Sequence, residues 1–275
     1  MEIQVWDGAL GAEEVGPPEG PAVVLVHGFP FDRRMWEGQL RGLSDAYRMV
    51  SYDVRGMGRS PVGDGQYTME LLVDDFFAVV DALELEEERV IACGLSMGGY
   101  ILLRALERDP GRFRGVVLAD TRSSADDDEG KLGRASAIRM LGEEGSAAYG
   151  ETVVPRLLGS TTLAEKPEVV ETAKVMVRSN DPRGLRGAQL AMLSRTDTTA
   201  SLPGLRLPVL VLVGEEDALT PPETARAMAA RIPGADLEIV PRAGHVSALE
   251  SPAEFNRHLR AFVDRVEASA EGGAS

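Results

Sequence analysis

Cysteine is almost absent from this chain of 275 residues, in which Cys93 is the only one. A single thiol excludes an internal disulfide bond. The first residues, MEIQVWDGALGAEE, lack the basic region and apolar core of a secretory signal. No apolar run approaches the roughly 20 residues that are needed to span a bilayer. We therefore expect a cytoplasmic protein that has no membrane partner.

Basic residues are also scarce, with 29 Lys and Arg against 44 Asp and Glu, and the formal net charge is −15. Such a surface repels phosphate backbones, which argues against nucleic acid as a partner. Aromatic residues make up only 5% and give no indication of a stacking platform. No cluster with metal-ligand spacing occurs, so we expect neither a metal nor an organic cofactor. The expected partner is a small molecule, and both a monomer and a homodimer fit this composition.

Hydrophobic residues, at 44%, are sufficient for a large core, and they fall into short runs of strand type. Near-continuous apolar strands are typical of a parallel sheet that is covered on both faces. A weak first strand is followed by a turn-rich loop over residues 11–21, and residues 267–275 read as a frayed tail. The strong strands are predicted at residues 22–27, 48–54, 89–95, 114–121, 208–214 and 237–242.

Helical segments separate most of these strands, which predicts a doubly wound α/β sheet. One begins after Thr68, a residue that can cap a free helix amide. The alternation stops between residues 122 and 200, where the pattern is helical and no strong strand occurs. We therefore predict a helical cap over residues 122–200, inserted into a core domain that comprises residues 1–121 and 201–275. The alternative is that these helices pack on one face of the sheet.

The sequence CGLSMGGY places Ser96 at the junction of a predicted strand and a predicted helix. Gly94 and Gly98 complete a G-x-S-x-G pattern, in which the serine occupies a strained turn and projects from the carboxyl end of the sheet. A side chain on either glycine would clash there, and the following helix directs free amides at the site. Ser96 is therefore the predicted nucleophile, whereas Cys93 is predicted to be a small buried strand residue.

A serine hydroxyl needs a base at neutral pH, and the chain has three histidines. His258 lies in the last predicted helix, and His27 is predicted to hold a turn through a ring hydrogen bond. His245 follows the last strand in a loop at the carboxyl edge of the sheet, where sites form in such folds. We therefore predict that His245 is the base.

The imidazole in turn needs an acid that fixes its tautomer. Glu215, Glu216 and Asp217 follow another strand at the same edge, and all three are candidates. We choose Asp217, with Glu216 second. The chain order of Ser96, Asp217 and His245 is the one expected of an α/β-hydrolase triad.

Acyl transfer also requires two amides that face the developing oxyanion. The amide of Met97 follows the nucleophile, and the loop HGFPFD offers the amide of Phe29. The predicted substrate-binding residues lie near these loops or in the strand-free stretch, although Trp36 also fits simple helix packing. They are Phe29, Trp36, Met97, Met140 and Leu158.

Five motifs together resemble the α/β-hydrolase superfamily, and they run from about residue 22 to residue 265: LVHGFPFDRRMW, YDVRGMGRS, CGLSMGGY, LVGEEDALTPP and AGHVSALESP. More narrowly, the chain resembles the small serine carboxylesterases and the 3-oxoadipate enol-lactonase-like group. The resemblance implies the α/β-hydrolase fold, which is a mostly parallel, doubly wound sheet with a helical cap inserted after the sixth strand.

The same resemblance implies hydrolysis of a carboxylic ester or a lactone through an acyl-enzyme. Ser96 argues against haloalkane dehalogenases and epoxide hydrolases, which need an acidic residue at that position. Asp53, Arg55 and Ser60 match the family's DxRGxGxS pattern, which we interpret as a loop-stabilising turn. The leading hypothesis is a carboxylesterase that acts on small to medium acyl chains. The alternatives are a lactonase for an enol-lactone or an acyl-homoserine lactone, an acyl or peracid transferase, and a non-catalytic ligand receptor.

Overall fold

A computed structural model of the chain, which describes residues 1–85 and 89–272, contains one sheet of eight strands. The strand order is β1-β2-β4-β3-β5-β6-β7-β8. The pairs β1–β2 and β2–β4 are antiparallel, and all other pairs are parallel. This is the α/β-hydrolase fold that the motifs predict. The strands are β1 (Glu2–Val5), β2 (Gly8–Val15), β3 (Ala22–Val26), β4 (Arg48–Tyr52), β5 (Val90–Leu95), β6 (Phe113–Ala119), β7 (Val209–Gly214) and β8 (Asp236–Val240).

The predicted strong strands coincide with β3 to β8, and every residue of β5 and β7 is buried. The two ends of the chain are predicted less well. Residues 11–15 are not a loop but the second half of β2, where Glu13 pairs with Ser51 of β4. That pairing partner lies far away in sequence, so the local turn residues gave no indication of it. The last helix extends to Gly272 through most of the predicted tail, and residues 273–275 lie outside the described residues.

Helices pack against both faces of the sheet and against one another. The side chain of Thr68 accepts a hydrogen bond from the Leu71 amide and caps α2, as predicted. The helices are α1 (Glu37–Leu43), α2 (Met69–Asp81), α3 (Met97–Arg108), α4 (Asp128–Glu143), α5 (Gly145–Leu157), α6 (Ser160–Glu165), α7 (Pro167–Ser179), α8 (Pro182–Leu193), α9 (Pro222–Ala229), α10 (Ser247–Glu250) and α11 (Pro252–Gly272).

The five helices α4 to α8 lie between β6 and β7 in the chain and pack mainly on one another, α4 against α8 and α5 against α7. The chain segments that enter and leave this helical group are bonded together. Thr198 donates its amide to the carbonyl oxygen of Ser123, at 3.0 Å. Asp126 binds Arg195 at 2.8 Å. The division into a core domain and a cap domain with the predicted boundaries stays a prediction.

Among residues 1–85 and 89–272, no helix has the length and apolar character that crossing a membrane requires.

Candidate active site

Ser96 lies in the turn between β5 and α3 with a φ of 51° and a ψ of −107°. A positive φ is unusual for a residue with a β-carbon, and such strain concentrates at functional sites. The turn is held from both sides, because the Ser96 amide donates to Ala119 O at 2.9 Å and Thr121 Oγ1 donates to Ser96 O at 2.8 Å. Ala119 is the last residue of β6 and Thr121 follows two residues later, so the end of this strand and the loop after it fix the position of the serine.

The glycines around Ser96 lie where a side chain has no room. A β-carbon on Gly94 would lie 2.5 Å from the carbonyl carbon of Gly98, and one on Gly98 would lie 2.1 Å from Val26 O. A β-carbon on Gly99 would lie 2.5 Å from Thr121 Oγ1. These distances explain why the strand-to-helix turn requires glycine at all three positions.

The structure brings the three predicted catalytic side chains together at the carboxyl edge of the sheet. Ser96 Oγ lies 2.9 Å from His245 Nε2, and His245 Nδ1 lies 2.8 Å from Asp217 Oδ2. Each of the three residues is at most 7% exposed. The arrangement assigns the ring proton to Nδ1, where it is donated to the carboxylate, and leaves Nε2 free to accept the serine proton.

Asp217 is held in place by the turn that follows it. Its Oδ1 accepts the amides of Leu219 and Thr220 at 2.8 and 2.9 Å, and its Oδ2 accepts Thr220 Oγ1 at 2.6 Å. Burial alone would raise the pKa of Asp217, but the hydrogen bonds from His245 and Thr220 outweigh burial and lower it. Asp217 is therefore ionised at neutral pH and can stabilise an imidazolium.

Burial acts on His245 in the opposite sense and would lower its pKa. The hydrogen bond and charge of Asp217, together with the charge of Glu250, outweigh burial, so the pKa of His245 is raised above 6.5. The imidazole is thus a stronger base than a free histidine side chain.

The two other acidic candidates have different partners. Glu216 accepts Ser160 Oγ at 2.9 Å and the Thr161 amide at 2.8 Å, so it binds the start of α6. The hydrogen bond from the Thr161 hydroxyl, together with these two, outweighs burial and lowers the pKa of Glu216. Glu215 accepts the amide of Arg242 at 3.1 Å. Neither carboxylate is bonded to His245 among the described residues.

The two amides that the sequence selects for an oxyanion have no hydrogen-bond acceptor among the described residues. Among the described residues, neither the Phe29 amide nor the Met97 amide donates a hydrogen bond within the protein. A β-carbon on Gly28 would lie 3.5 Å from Ser96 Cβ, so the loop that carries Phe29 approaches the serine closely. Two free amides beside one hydroxyl can bind an oxygen that carries developing negative charge.

The predicted pocket residues differ in their surroundings. Phe29 is partly exposed and meets the ring of Tyr149 edge-on, at 6.1 Å between centroids. Trp36 is fully buried and packs against Phe255 at 5.9 Å, which is the helix packing that the sequence left open. Met97 and Leu158 are buried, and Met140 is partly exposed in α4. Contact of these five residues with substrate stays a prediction.

The two other histidines and the single cysteine lie outside the triad. His27 Nε2 accepts the Val54 amide at 2.9 Å and Nδ1 donates to Gly28 O at 3.0 Å, which is a turn held by a ring as predicted. His258 is bonded to Arg257 at 2.9 Å. Burial raises the pKa of the Cys93 thiol, so this cysteine is not an activated nucleophile.

The DxRGxGxS segment forms a bonded turn. Asp53 accepts the amides of Arg33 and Arg59, each at 2.9 Å, and Ser60 Oγ donates to Asp53 O at 2.5 Å. Arg55 is bonded to the buried carboxylate of Asp75 at 2.6 Å. These contacts agree with the loop-stabilising role inferred for the motif.

Asp120 is a buried carboxyl group beside the triad that the motifs did not reveal. It has a φ of 46°, follows β6 directly and accepts the Gly214 amide at 2.8 Å and the Ser247 amide at 3.1 Å. Burial and the charge of Asp217 raise the pKa of Asp120 to about 8. The one sequence signal for Asp120 was an acidic residue near the end of an otherwise apolar predicted strand.

The raised pKa of Asp120 predicts a specific pH dependence of stability. The folded chain binds this proton more tightly than the unfolded chain, whose pKa is near 3.8. The resulting stability is fully present below pH 3.8 and is lost as the pH rises through about 8. Asp120→Asn has no carboxyl group to titrate, so its stability does not depend on this proton. From pH 5 to pH 8 the melting temperature of the wild type should therefore fall relative to that of the variant. We expect a shift of at least about 4 °C, since about 1 kcal/mol corresponds to about 2–4 °C here.

Asp126→Asn provides the matched control for this measurement. Asp126 is also buried, but hydrogen bonds from Arg195 and Arg134 outweigh burial and lower its pKa. Its contribution to stability is lost only at acid pH, so the melting difference should be constant between pH 5 and pH 8. A constant difference for Asp120→Asn as well would mean that Asp120 is already ionised in the folded chain at pH 5.

Comparisons with known proteins identify the family and the fold. A model of the alpha/beta hydrolase family matches residues 23–258. The chain is 27% identical to 3-oxoadipate enol-lactonase 2 of Acinetobacter baylyi, over 96% of each chain. Its fold matches a thermophilic esterase from Thermogutta terrifontis with a TM-score of 0.91 and 37% identity, covering 97% of this chain and 98% of the other. It also matches the enol-lactonase from Burkholderia xenovorans LB400, with a TM-score of 0.88, 28% identity, and coverage of 96% and 100%.

Within the part of the chain that the structure describes, no group of three or more His, Cys, Asp or Glu side chains is arranged to hold a metal ion.

Proposed function

This chain belongs to the alpha/beta hydrolase family and is a hydrolase of the enol-lactonase-like group, and on that basis we propose that it is a serine carboxylesterase. Its substrates would be carboxylic esters with small to medium acyl chains. The observation that carries the proposal is the buried line of hydrogen bonds from Ser96 through His245 to Asp217, at 2.9 and 2.8 Å. This line can deprotonate the serine hydroxyl as it attacks a carbonyl.

The first half of the reaction is acylation of the serine. Ser96 Oγ attacks the ester carbonyl carbon while its proton moves to His245 Nε2. The carbonyl oxygen becomes an oxyanion, which the amides of Phe29 and Met97 would bind. When the tetrahedral intermediate collapses, the bond to the alcohol breaks and the alcohol leaves with the proton from Nε2. The ionised Asp217 stabilises the imidazolium between these two proton transfers.

The second half releases the acid and restores the enzyme. A water molecule attacks the acyl carbonyl while His245 Nε2 takes one of its protons, and the same two amides again bind the oxyanion. Collapse of this second intermediate breaks the bond to Ser96 Oγ, which recovers its proton from Nε2. The reaction consumes one water and yields one acid and one alcohol, and no step requires a metal or an organic cofactor.

Hydrolysis of p-nitrophenyl esters of short and medium acyl chains, compared with opening of lactones, tests the proposed substrate class. We expect ester turnover to exceed lactone turnover. An organophosphonate should also label the protein covalently, and peptide mapping should locate the label on Ser96. Label on a different residue would exclude the proposed nucleophile, and ligand binding without any turnover would favour a receptor.

A lactonase is the second candidate, and the similarity to two enol-lactonases supports it. A lactone is a cyclic ester, so its opening uses the same nucleophile and the same oxyanion contacts. The esterase from Thermogutta terrifontis is 37% identical to this chain, against 27% and 28% for the enol-lactonases, which is why the esterase is preferred. Fast lactone opening together with slow ester hydrolysis would reverse that order.

A further inference from the structure

The loop that carries His245 is held by a buried carboxylate outside the triad. Glu250 Oε1 accepts the amides on both sides of His245, from Gly244 at 3.0 Å and from Val246 at 3.1 Å. The amide of His245 itself donates to Leu157 O at 2.8 Å. The backbone around the imidazole therefore depends on one acidic side chain and on one carbonyl at the end of α5.

The second oxygen of Glu250 binds the same helical group. Glu250 Oε2 accepts the Gly159 amide at 2.8 Å, in the short link between α5 and α6. Gly159 and Gly244 meet backbone to backbone, because a β-carbon on Gly159 would lie 2.8 Å from Gly244 N. Lys166 adds a contact from its Nζ to the carbonyl oxygen of Glu250, at 2.6 Å. One carboxylate thus joins the loop Gly244–Val246 around His245, called the base loop below, to the segment Leu157–Gly159.

Stability alone does not explain a carboxylate at position 250, because burying it is unfavourable. Glu250 is 1% exposed. Among the described residues, its carboxylate accepts hydrogen bonds from backbone amides and pairs with no arginine or lysine. Burying a carboxylate without a cation is costly, and apolar packing would stabilise such a site at lower cost. A carboxylate at this position therefore indicates a role beyond stability.

We propose that Glu250 is a positioning residue for the reaction, which holds His245 at Ser96 and makes the placement of the base depend on the segment Leu157–Gly159. This proposal rests on the proposed function, in which His245 is the base. Glu250 does not touch the reacting atoms in this scheme. It acts through the backbone of the base loop and through its negative charge.

The charge of Glu250 provides a measurable signature. Among the described residues, three carboxyl groups interact with His245, namely Asp217 after β7, Asp120 after β6 and Glu250 in α10. The charges of Asp217 and Glu250 raise the pKa of the imidazole against the effect of burial, whereas Asp120 keeps its proton up to about pH 8. Removing one of these charges lowers that pKa. The acidic limb of the kcat/KM profile, where the base becomes protonated, should then move to lower pH.

Glu250→Gln is the informative variant because it keeps the shape of the side chain. Its remaining carbonyl oxygen can still accept Gly244 and Val246, but its NH₂ group would face the Gly159 amide, so the contact with the link is lost together with the charge. We expect kcat/KM on a p-nitrophenyl ester to fall about 100-fold, mainly in kcat, since a small displacement of a catalytic group has an effect of that order. The NMR titration of His245 should move to lower pH.

Glu216→Gln is the matched control, since Glu216 also binds this part of the helical group, and its hydrogen bonds among the described residues go to Ser160 and Thr161 rather than to His245. It should retain the wild-type titration of His245 and nearly wild-type kcat/KM. The proposal is wrong if Glu250→Gln leaves both the titration and kcat/KM unchanged, or if activity falls only in proportion to the folded fraction. The imidazole titration needs no substrate, so it separates this proposal from the proposed function, which fails if wild type hydrolyses neither esters nor lactones.

Discussion

Ser96→Ala is expected to reduce kcat for ester hydrolysis by about 10⁶-fold, because loss of the nucleophile in a triad has an effect of that order. The variant has no oxygen to form the acyl-enzyme, whereas the two free amides of Phe29 and Met97 remain. Some acceleration over water should therefore persist through oxyanion binding alone. Steady-state hydrolysis of a p-nitrophenyl ester and loss of organophosphonate labelling together measure the effect.

Ser51→Ala is the matched serine control for this prediction. Ser51 lies fully buried in β4, and its hydroxyl has no hydrogen-bond partner among the described residues. Its replacement should leave kcat and labelling at wild-type values. Retention of substantial turnover by a folded Ser96→Ala protein would mean that another group forms the covalent bond, or that no acyl-enzyme forms.

Asp217→Asn should have the next largest effect, a loss of about 10⁴-fold in kcat. The new oxygen can accept the amides of Leu219 and Thr220, so the new NH₂ group faces His245 Nδ1. An NH₂ group donates, so Nδ1 must accept and the ring proton moves to Nε2. That tautomer cannot take the proton of Ser96, and no negative charge remains at this position to stabilise the imidazolium.

Glu216→Gln separates this tautomer effect from a general effect of lost charge in the same loop. Its amide can accept Ser160 and the Thr161 amide through oxygen and can donate through nitrogen to the Thr161 hydroxyl, so every contact survives. We expect its kcat to stay within a few-fold of wild type at pH 7. If Glu216→Gln lost activity and Asp217→Asn kept it, the acid of the triad would have to be reassigned to Glu216.

The acid of the triad shows the limit of what local sequence can predict. Glu215, Glu216 and Asp217 are adjacent, and residue type and strand position alone do not separate them. The turn after β7 directs Asp217 at His245, because Leu219 and Thr220 bind its carboxylate from behind. The chain order of nucleophile, acid and base is the same for all three residues, so it does not separate them either.

Asp120 and Glu250 show where local sequence stops being informative. Asp120 lies outside the five motifs, and Glu250 lies within AGHVSALESP but is not distinguished by it. The role of each residue arises from partners on other elements. Asp120 meets Gly214 at a separation of 94 residues, and Glu250 meets Gly159 at a separation of 91. Contacts of this range depend on how β6, β7 and the helical group pack, which no local pattern encodes.

The sequence by itself determined the parallel core of the sheet, the turn at Ser96 and the identity of the candidate base. Those features depend on local physics: buried strands need apolar runs, and a crowded strand-to-helix turn needs glycine. Only the tertiary structure decided the pairing of β2 with β4, the acid that meets His245, and the carboxylates that hold the base loop. These outcomes depend on distances between residues far apart in the chain, and such distances exist only once the chain has packed.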